Sequence, residues 1–195
     1  MKIFLIRHGQ SEADLKNVIE CNADFDLTEH GKKQAGDLVE KLTALSPFNA
    51  LYSSPLKRAR GTAMLISEKH GLPVIIDDRL AERNVGEMAG MNRNEAFKKF
   101  PLPEGGLRPH HKMGGGTGES MLNFKFRTFE FFSELDEKHS NDKIIVVTHG
   151  GVINNFLCEL FKTNDNVDFV TGDAGFHCIE KTGGRIIVHF LNNCF

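Results

Sequence analysis

The sequence has no Cys-x-x-Cys pair, no internal repeat, no low-complexity array and no apolar run long enough for a membrane span or a signal-peptide core. Cys21, Cys158, Cys178 and Cys194 are widely scattered. Two disulfides would need an oxidising compartment, and nothing else in the chain argues for export, so a reducing cytoplasm is the expected location. Charge of one sign is also scarce. A formal net charge of -2 at pH 7 gives no general attraction for nucleic acid or an anionic membrane. Any hold on a phosphorylated ligand must come from a local cluster of arginine and histidine. With 195 residues, 40% hydrophobic and 26% charged, the chain can build one well-buried domain and is short for two.

What is present is a recurring pattern in which an apolar run stops at a polar, glycine-bearing turn. Ile3–Ile6 reads as a short buried strand and ends in Arg7-His8-Gly9. Ile144–Val147 reads the same way, ends in Thr148-His149-Gly150-Gly151, and leads into an apolar stretch of helical character over 152–160. An open α/β sheet places its ligand site at such strand ends. Arg7 offers a planar fork of donors suited to phosphate or carboxylate, and Gly9 permits a tight turn and close backbone approach. Between these runs, Ser53-Ser54-Pro55-Leu56-Lys57-Arg58 reads as a strand giving way to a helix, with Ser54 as N-cap, Pro55 as first helical residue and Arg58 in the first turn.

Together the motifs resemble the histidine phosphatase superfamily, also called phosphoglycerate mutase-like. The matching residues are Arg7-His8-Gly9, Leu27-Thr28-Glu29-His30-Gly31, Ser53-Ser54 to Arg58-Ala59 with Thr62-Ala63, Leu80-Ala81-Glu82, Gly118-Glu119-Ser120 and His149-Gly150-Gly151. They stand in the family's order over positions 1–160. The resemblance implies that His8 is a nucleophile that becomes a phosphohistidine, that Glu82 is the proton donor, and that Arg7, Arg58 and His149 hold the phosphoryl oxygens. Gly9, Asn17, Cys21 and Gly150 complete the expected substrate-binding set. One departure stands out: family members often carry asparagine at the place of Asp14, so an ionised Asp14 would repel phosphate unless it turns to solvent or Asn17 takes over.

In chain order, helices are expected over 29–45, where Ala35, Leu38, Val39, Leu42 and Leu45 mark one face, and over 55–69, stopped by Gly71. Further strands are expected at 50–53 and 74–76. From 77 to 118 the rhythm breaks down around one short helical candidate, 92–100, and the stretch at about 84–118 reads as a lid-like insertion made mobile by prolines and glycines, Gly105 among them. Ser120 should cap a long helix whose Leu122, Phe126, Phe129 and Phe132 or Ser133 follow a 3.6-residue period and are read as core. The tail reads as a hairpin turning at Thr182-Gly183-Gly184. Strands alternating with helices predict one α/β domain over 1–195, a three-layer α/β/α sandwich with a mainly parallel sheet and an antiparallel edge element.

The expected activity is a metal-independent phosphomonoesterase acting on a small phosphorylated metabolite such as a sugar phosphate, with no cofactor. A cofactor-dependent mutase and a non-catalytic phospho-ligand scaffold are the alternatives. A mutase must keep its phosphohistidine until the donor re-binds, and family mutases carry longer insertions after the Glu82 motif, so the short lid points to hydrolysis. No nucleic acid or membrane partner is expected, and a homodimer is left open.

Overall fold

The computed structural model describes residues 1–104, 106–163 and 167–193, so Gly105 and Cys194 lie outside the described residues. Six strands, β1 (Lys2–Arg7), β2 (Ala50–Ser53), β3 (Val74–Ile76), β4 (Lys143–Thr148), β5 (Phe176–Thr182) and β6 (Arg185–Asn193), form one sheet in the order β3-β2-β4-β1-β5-β6. The pairs among β1 to β4 are parallel, whereas β5 runs antiparallel to β1 and to β6. The mainly parallel sheet with an antiparallel edge is thus present, and that edge is two strands wide.

Successive side chains on a strand point to opposite faces, so the all-apolar runs of β1 and β4 must be covered on both sides. Ile3, Leu5, Ile144 and Val146 pack against α4 (Met121–Lys138) and α5 (Gly150–Phe161). Phe4, Ile6, Ile145 and Val147 pack against α1 (Glu29–Thr43) and α2 (Lys57–His70). This gives three layers. Each fully buried Leu, Ile or Phe in them contributes about 2 kcal/mol from area alone.

Local chemistry sets the boundaries. Thr28 N-caps α1 by accepting the Gly31 N–H, and Ala35, Leu38, Val39 and Leu42 form its buried stripe. Gly71 closes α2 in the left-handed region at φ 66°. Asn92 caps a short α3 (Arg93–Lys99), and Ser120 caps α4.

Two expectations need correction. Helix α2 starts at Lys57, not Pro55, and Leu56, which makes no side-chain cap bond, stands at its N-cap. The Ser54 hydroxyl is drawn to His149 instead, while Asp24 from a distant loop accepts the Lys57 N–H. On α4 the Leu122, Phe126 and Phe129 stripe is exposed, and the core takes Phe124, Phe131, Phe132 and Leu135. Both faces of this helix carry phenylalanine, so periodicity alone fits two registers and only packing on the sheet selects one. The stretch after Glu82 has a small core of its own, in which Val85, Met88 and Ala96 are buried with Ile19.

Candidate active site

Adjacent parallel strands β1 and β4 end in register, Arg7 opposite Thr148, so the residues that follow leave the sheet side by side. The His8 N–H donates to the Thr148 carbonyl, and the His8 carbonyl accepts the Ala174 N–H. His8 is therefore fixed on both flanks. Its ring lies 5.1 Å from that of His149, centroid to centroid, and both residues are buried. The sequence expectation that two distant imidazoles meet holds in space.

The His8 tautomer follows from its contacts. Nδ1 lies 2.8 Å from the Gly9 carbonyl, which can only accept, so Nδ1 carries the proton and Nε2 keeps its lone pair. Arg58 Nε donates to that lone pair at 3.1 Å. Burial first, and the Arg58 guanidinium second, hold the imidazole well below its usual 6.5, so it is neutral at cellular pH. Desolvation, more than the arginines, sets this direction.

His149 shows a complementary arrangement. Ser54 Oγ accepts the Leu56 N–H and lies 2.7 Å from His149 Nε2. His149 Nδ1 is buried with no partner among the described residues, and the tautomer that protonates it would present a donor beside His8 that suits an anionic ligand. Burial lowers the His149 pKa well below 6.5, with Arg58 adding to the effect.

Arg58 rises from the first turn of α2 with its side chain only 1% exposed. Its Nη1 and Nη2 donate to the carbonyls of Ala23 and Cys21, at 2.8 and 2.5 Å. One turn on, Thr62 Oγ1 donates to the Arg58 carbonyl and accepts the Gly9 N–H, tying the loop after β1 to α2. Gly9 itself is required by packing, because a Cβ there would lie 2.4 Å from the Gly31 carbonyl oxygen. Arg7 is anchored on the other side, donating from Nη1 to the Thr171 carbonyl at 2.7 Å and pairing from Nη2 with Asp173 at 3.2 Å.

Glu82 is held by backbone. Its Oε2 accepts the Gly151 N–H at 2.9 Å in the first turn of α5, and its Oε1 accepts the Arg83 N–H at 2.8 Å. A Cβ on Gly151 would sit 2.4 Å from Glu82 Oε1 and would push the carboxylate aside. Gly150 has no such constraint: the nearest atom to a Cβ there is Arg7 Cδ at 4.0 Å. From α4, Arg127 binds Glu119 bidentately and donates to the carbonyls of Arg79, Ala81 and Glu82, so the Gly118-Glu119-Ser120 motif sets the position of the Glu82 loop. Arg83 Nε is buried and has no partner among the described residues.

The remaining expected residues are placed as follows. Asp14 is exposed, and its carboxylate accepts the Ser11 N–H at 2.7 Å in a capping box, which occupies it away from the arginines. Asn17 is exposed, and its carbonyl accepts the Arg93 N–H. Cys21 reaches the site through its carbonyl, while burial pushes its thiol up to about 11. Sequence reasoning gave no site role to Glu20, Ser54, Arg127 or Asp173. The acidity of residues 10–26 and the serine pair before Arg58 are the visible signals.

A further buried histidine supports Arg7. Asn192 donates its N–H to His177 Nδ1, so the ring's Nε2–H donates to Thr171 Oγ1, on the residue whose carbonyl holds Arg7. Burial pushes the His177 imidazole down to about 4. Below the unfolded value near 6.5, the unfolded chain binds a proton that the folded one refuses, so stability is lost as pH falls from 6.5 to 4. This one group accounts for about 3 kcal/mol over that window. Thermal melts at pH 7.5 and 4.5 should show that His177→Gln loses less stability on acidification than wild type; an equal loss would assign the acid sensitivity elsewhere.

A buried imidazole pair flanked by two guanidinium groups, at the carboxyl ends of parallel strands in a phosphoglycerate mutase-like fold, defines a phosphoryl-handling α/β enzyme. The family model described as the histidine phosphatase superfamily (branch 1) matches residues 3–193. The chain belongs to that superfamily. Phosphoserine phosphatase 1 of Hydrogenobacter thermophilus is 34% identical over 195 residues, which cover 98% of this chain and 92% of that protein. The metal-independent phosphoserine phosphatase of Arabidopsis thaliana is 34% identical over 156 residues, 78% of this chain and 65% of the relative. The alpha-ribazole phosphatase of Shigella flexneri has a similar fold, with a TM-score of 0.86 at 24% identity over 99% of this chain and 96% of that one. Among the described residues no helix is long and apolar enough to cross a membrane.

Proposed function

We propose that the chain hydrolyses small phosphomonoesters through a phosphohistidine on His8, without a metal. The observation that carries this is the unprotonated Nε2 of a neutral His8, its lone pair met by the Arg58 Nε–H. Phosphoryl transfer places negative charge on the equatorial oxygens, so catalysis rests on positioning and on donors aimed at them. Arg7, Arg58 and His149 Nδ1–H supply those donors. His8 Nε2 attacks phosphorus as the ester bond breaks, and Glu82 passes a proton to the departing alkoxide. Glu82 then takes a proton from water, whose oxygen attacks the phosphohistidine, releasing phosphate and restoring neutral His8.

Arg83 bears on the substrate. A buried Nε without a partner, in the residue next to the proton donor, fits a second acidic group, so a phosphorylated hydroxy acid, amino acid or sugar acid is favoured over a plain sugar phosphate. The phosphoserine phosphatases among the relatives point the same way. A panel of phosphorylated metabolites assayed for released phosphate, with and without EDTA, tests both points. Turnover that survives EDTA and is fastest on acid-bearing esters is expected. Zinc-dependent activity, or rapid isomerisation of 3-phosphoglycerate with 2,3-bisphosphoglycerate and no phosphate release, would overturn the proposal.

A further inference from the structure

Three of the five N–H donors of Arg58 are engaged, among them the one that faces His8. Nη1 and Nη2 serve the carbonyls of Ala23 and Cys21, and Nε is shared between His8 Nε2 and the Glu20 carboxylate, 3.2 Å away at Oε1. The same Glu20 oxygen accepts the Ser11 hydroxyl, and the Glu20 side chain is only 19% exposed. A carboxylate thus sits on the guanidinium, next to the nucleophilic nitrogen, where a phosphoryl oxygen would be held. Asp14, the other acid of this segment, is spent on the Ser11 N–H.

We infer that Glu20 is a specificity-determining residue that competes with phosphate for Arg58 and so keeps the site's affinity for the phosphoryl dianion, and for the phosphate product, low. The inference rests on the reading of Arg58 as a phosphoryl donor. Two anions beside one buried guanidinium repel strongly, because little water screens them. A phosphoryl dianion must therefore displace the Glu20 carboxylate or find it protonated. Arg58, Arg7 and His8 face the group from α2 and β1, and Ser11, Asp14 and Cys21 from its own segment. Burial raises the Glu20 pKa against the pull of Arg58, which favours the protonated, uncharged form. Weak product binding helps turnover when phosphate release is slow.

Titration of the whole protein with inorganic phosphate, followed by calorimetry from pH 5 to 8, tests this with wild type, Glu20→Gln and Glu20→Ser. The amide keeps acceptor contacts to Arg58 and Ser11 but removes the charge. Glu20→Gln should bind phosphate about tenfold or more tightly at pH 8, with the gain shrinking as pH falls and wild-type Glu20 takes up its proton. KM for para-nitrophenyl phosphate should fall in parallel. Unchanged or weaker phosphate binding in both variants, with melting temperatures near wild type, would overturn the inference and make Glu20 an anchor for Arg58. If no protein binds phosphate and His8→Ala leaves turnover unaltered, the reading of the site fails with it.

Discussion

Replacing His8 with alanine is expected to lower kcat for para-nitrophenyl phosphate by at least about 10⁴-fold, with a much smaller change in KM. The donors that hold the phosphoryl group, Arg7, Arg58 and His149, remain in the variant, while the nitrogen that attacks phosphorus is gone. His149 cannot substitute through Nε2, which is engaged by the Ser54 hydroxyl. A neutral His8 also predicts that acidification from pH 8 to 6 does not switch wild-type turnover off through this residue, whose pKa burial holds well below 6.5. Activity retained in His8→Ala would leave a phospho-ligand scaffold with an unrelated hydrolase contaminant as the better explanation.

Glu82→Gln should divide substrates by their leaving groups. An alkoxide needs a proton as the ester bond breaks, so kcat on an alkyl phosphate should drop by about 10² to 10⁴-fold. Para-nitrophenolate is a stable anion, and the step that forms the phosphohistidine from its ester should slow far less. The amide can keep one backbone contact, to Gly151 or Arg83, so the loop held by Arg127 and Glu119 should stay in place. A burst of para-nitrophenol followed by slow turnover is then expected, since water attack has lost its base. Equal loss on both substrates would remove Glu82 from proton transfer.

Much of the fold could be read from the chain because each strand run is short, apolar and bounded. Val74–Ile76 and the Thr28 cap follow from local chemistry that tertiary contacts only reinforce. The tail hairpin, with β5 and β6 joined across Gly183 and Gly184 at positive φ, is equally local. The errors arose where a residue serves a distant partner. Ser54 has good capping chemistry, yet its hydroxyl is claimed by a histidine 95 positions away. Phenylalanines on two faces of α4 gave periodicity nothing to choose between. Gly9 looked like room for substrate and proved to be room for the Gly31 carbonyl.

The site was legible for the same reason and hidden for the same reason. Arg7 and His8 sit at the visible end of a strand, as does His149. Glu20 sits in an irregular segment whose course is set by backbone contacts such as Glu12 N–H to the Asp26 carbonyl, and no pattern in the sequence could aim its carboxylate at Arg58.

The most direct test is to mix the enzyme with para-nitrophenyl phosphate radiolabelled in its phosphoryl group, quench in alkali during turnover, and map the label on peptides. Label on His8 at Nε2, absent from His8→Ala and carried in excess by Glu82→Gln, is the expected result. Turnover with no covalent phosphate on His8 at any quench time, or label on another side chain, would contradict it.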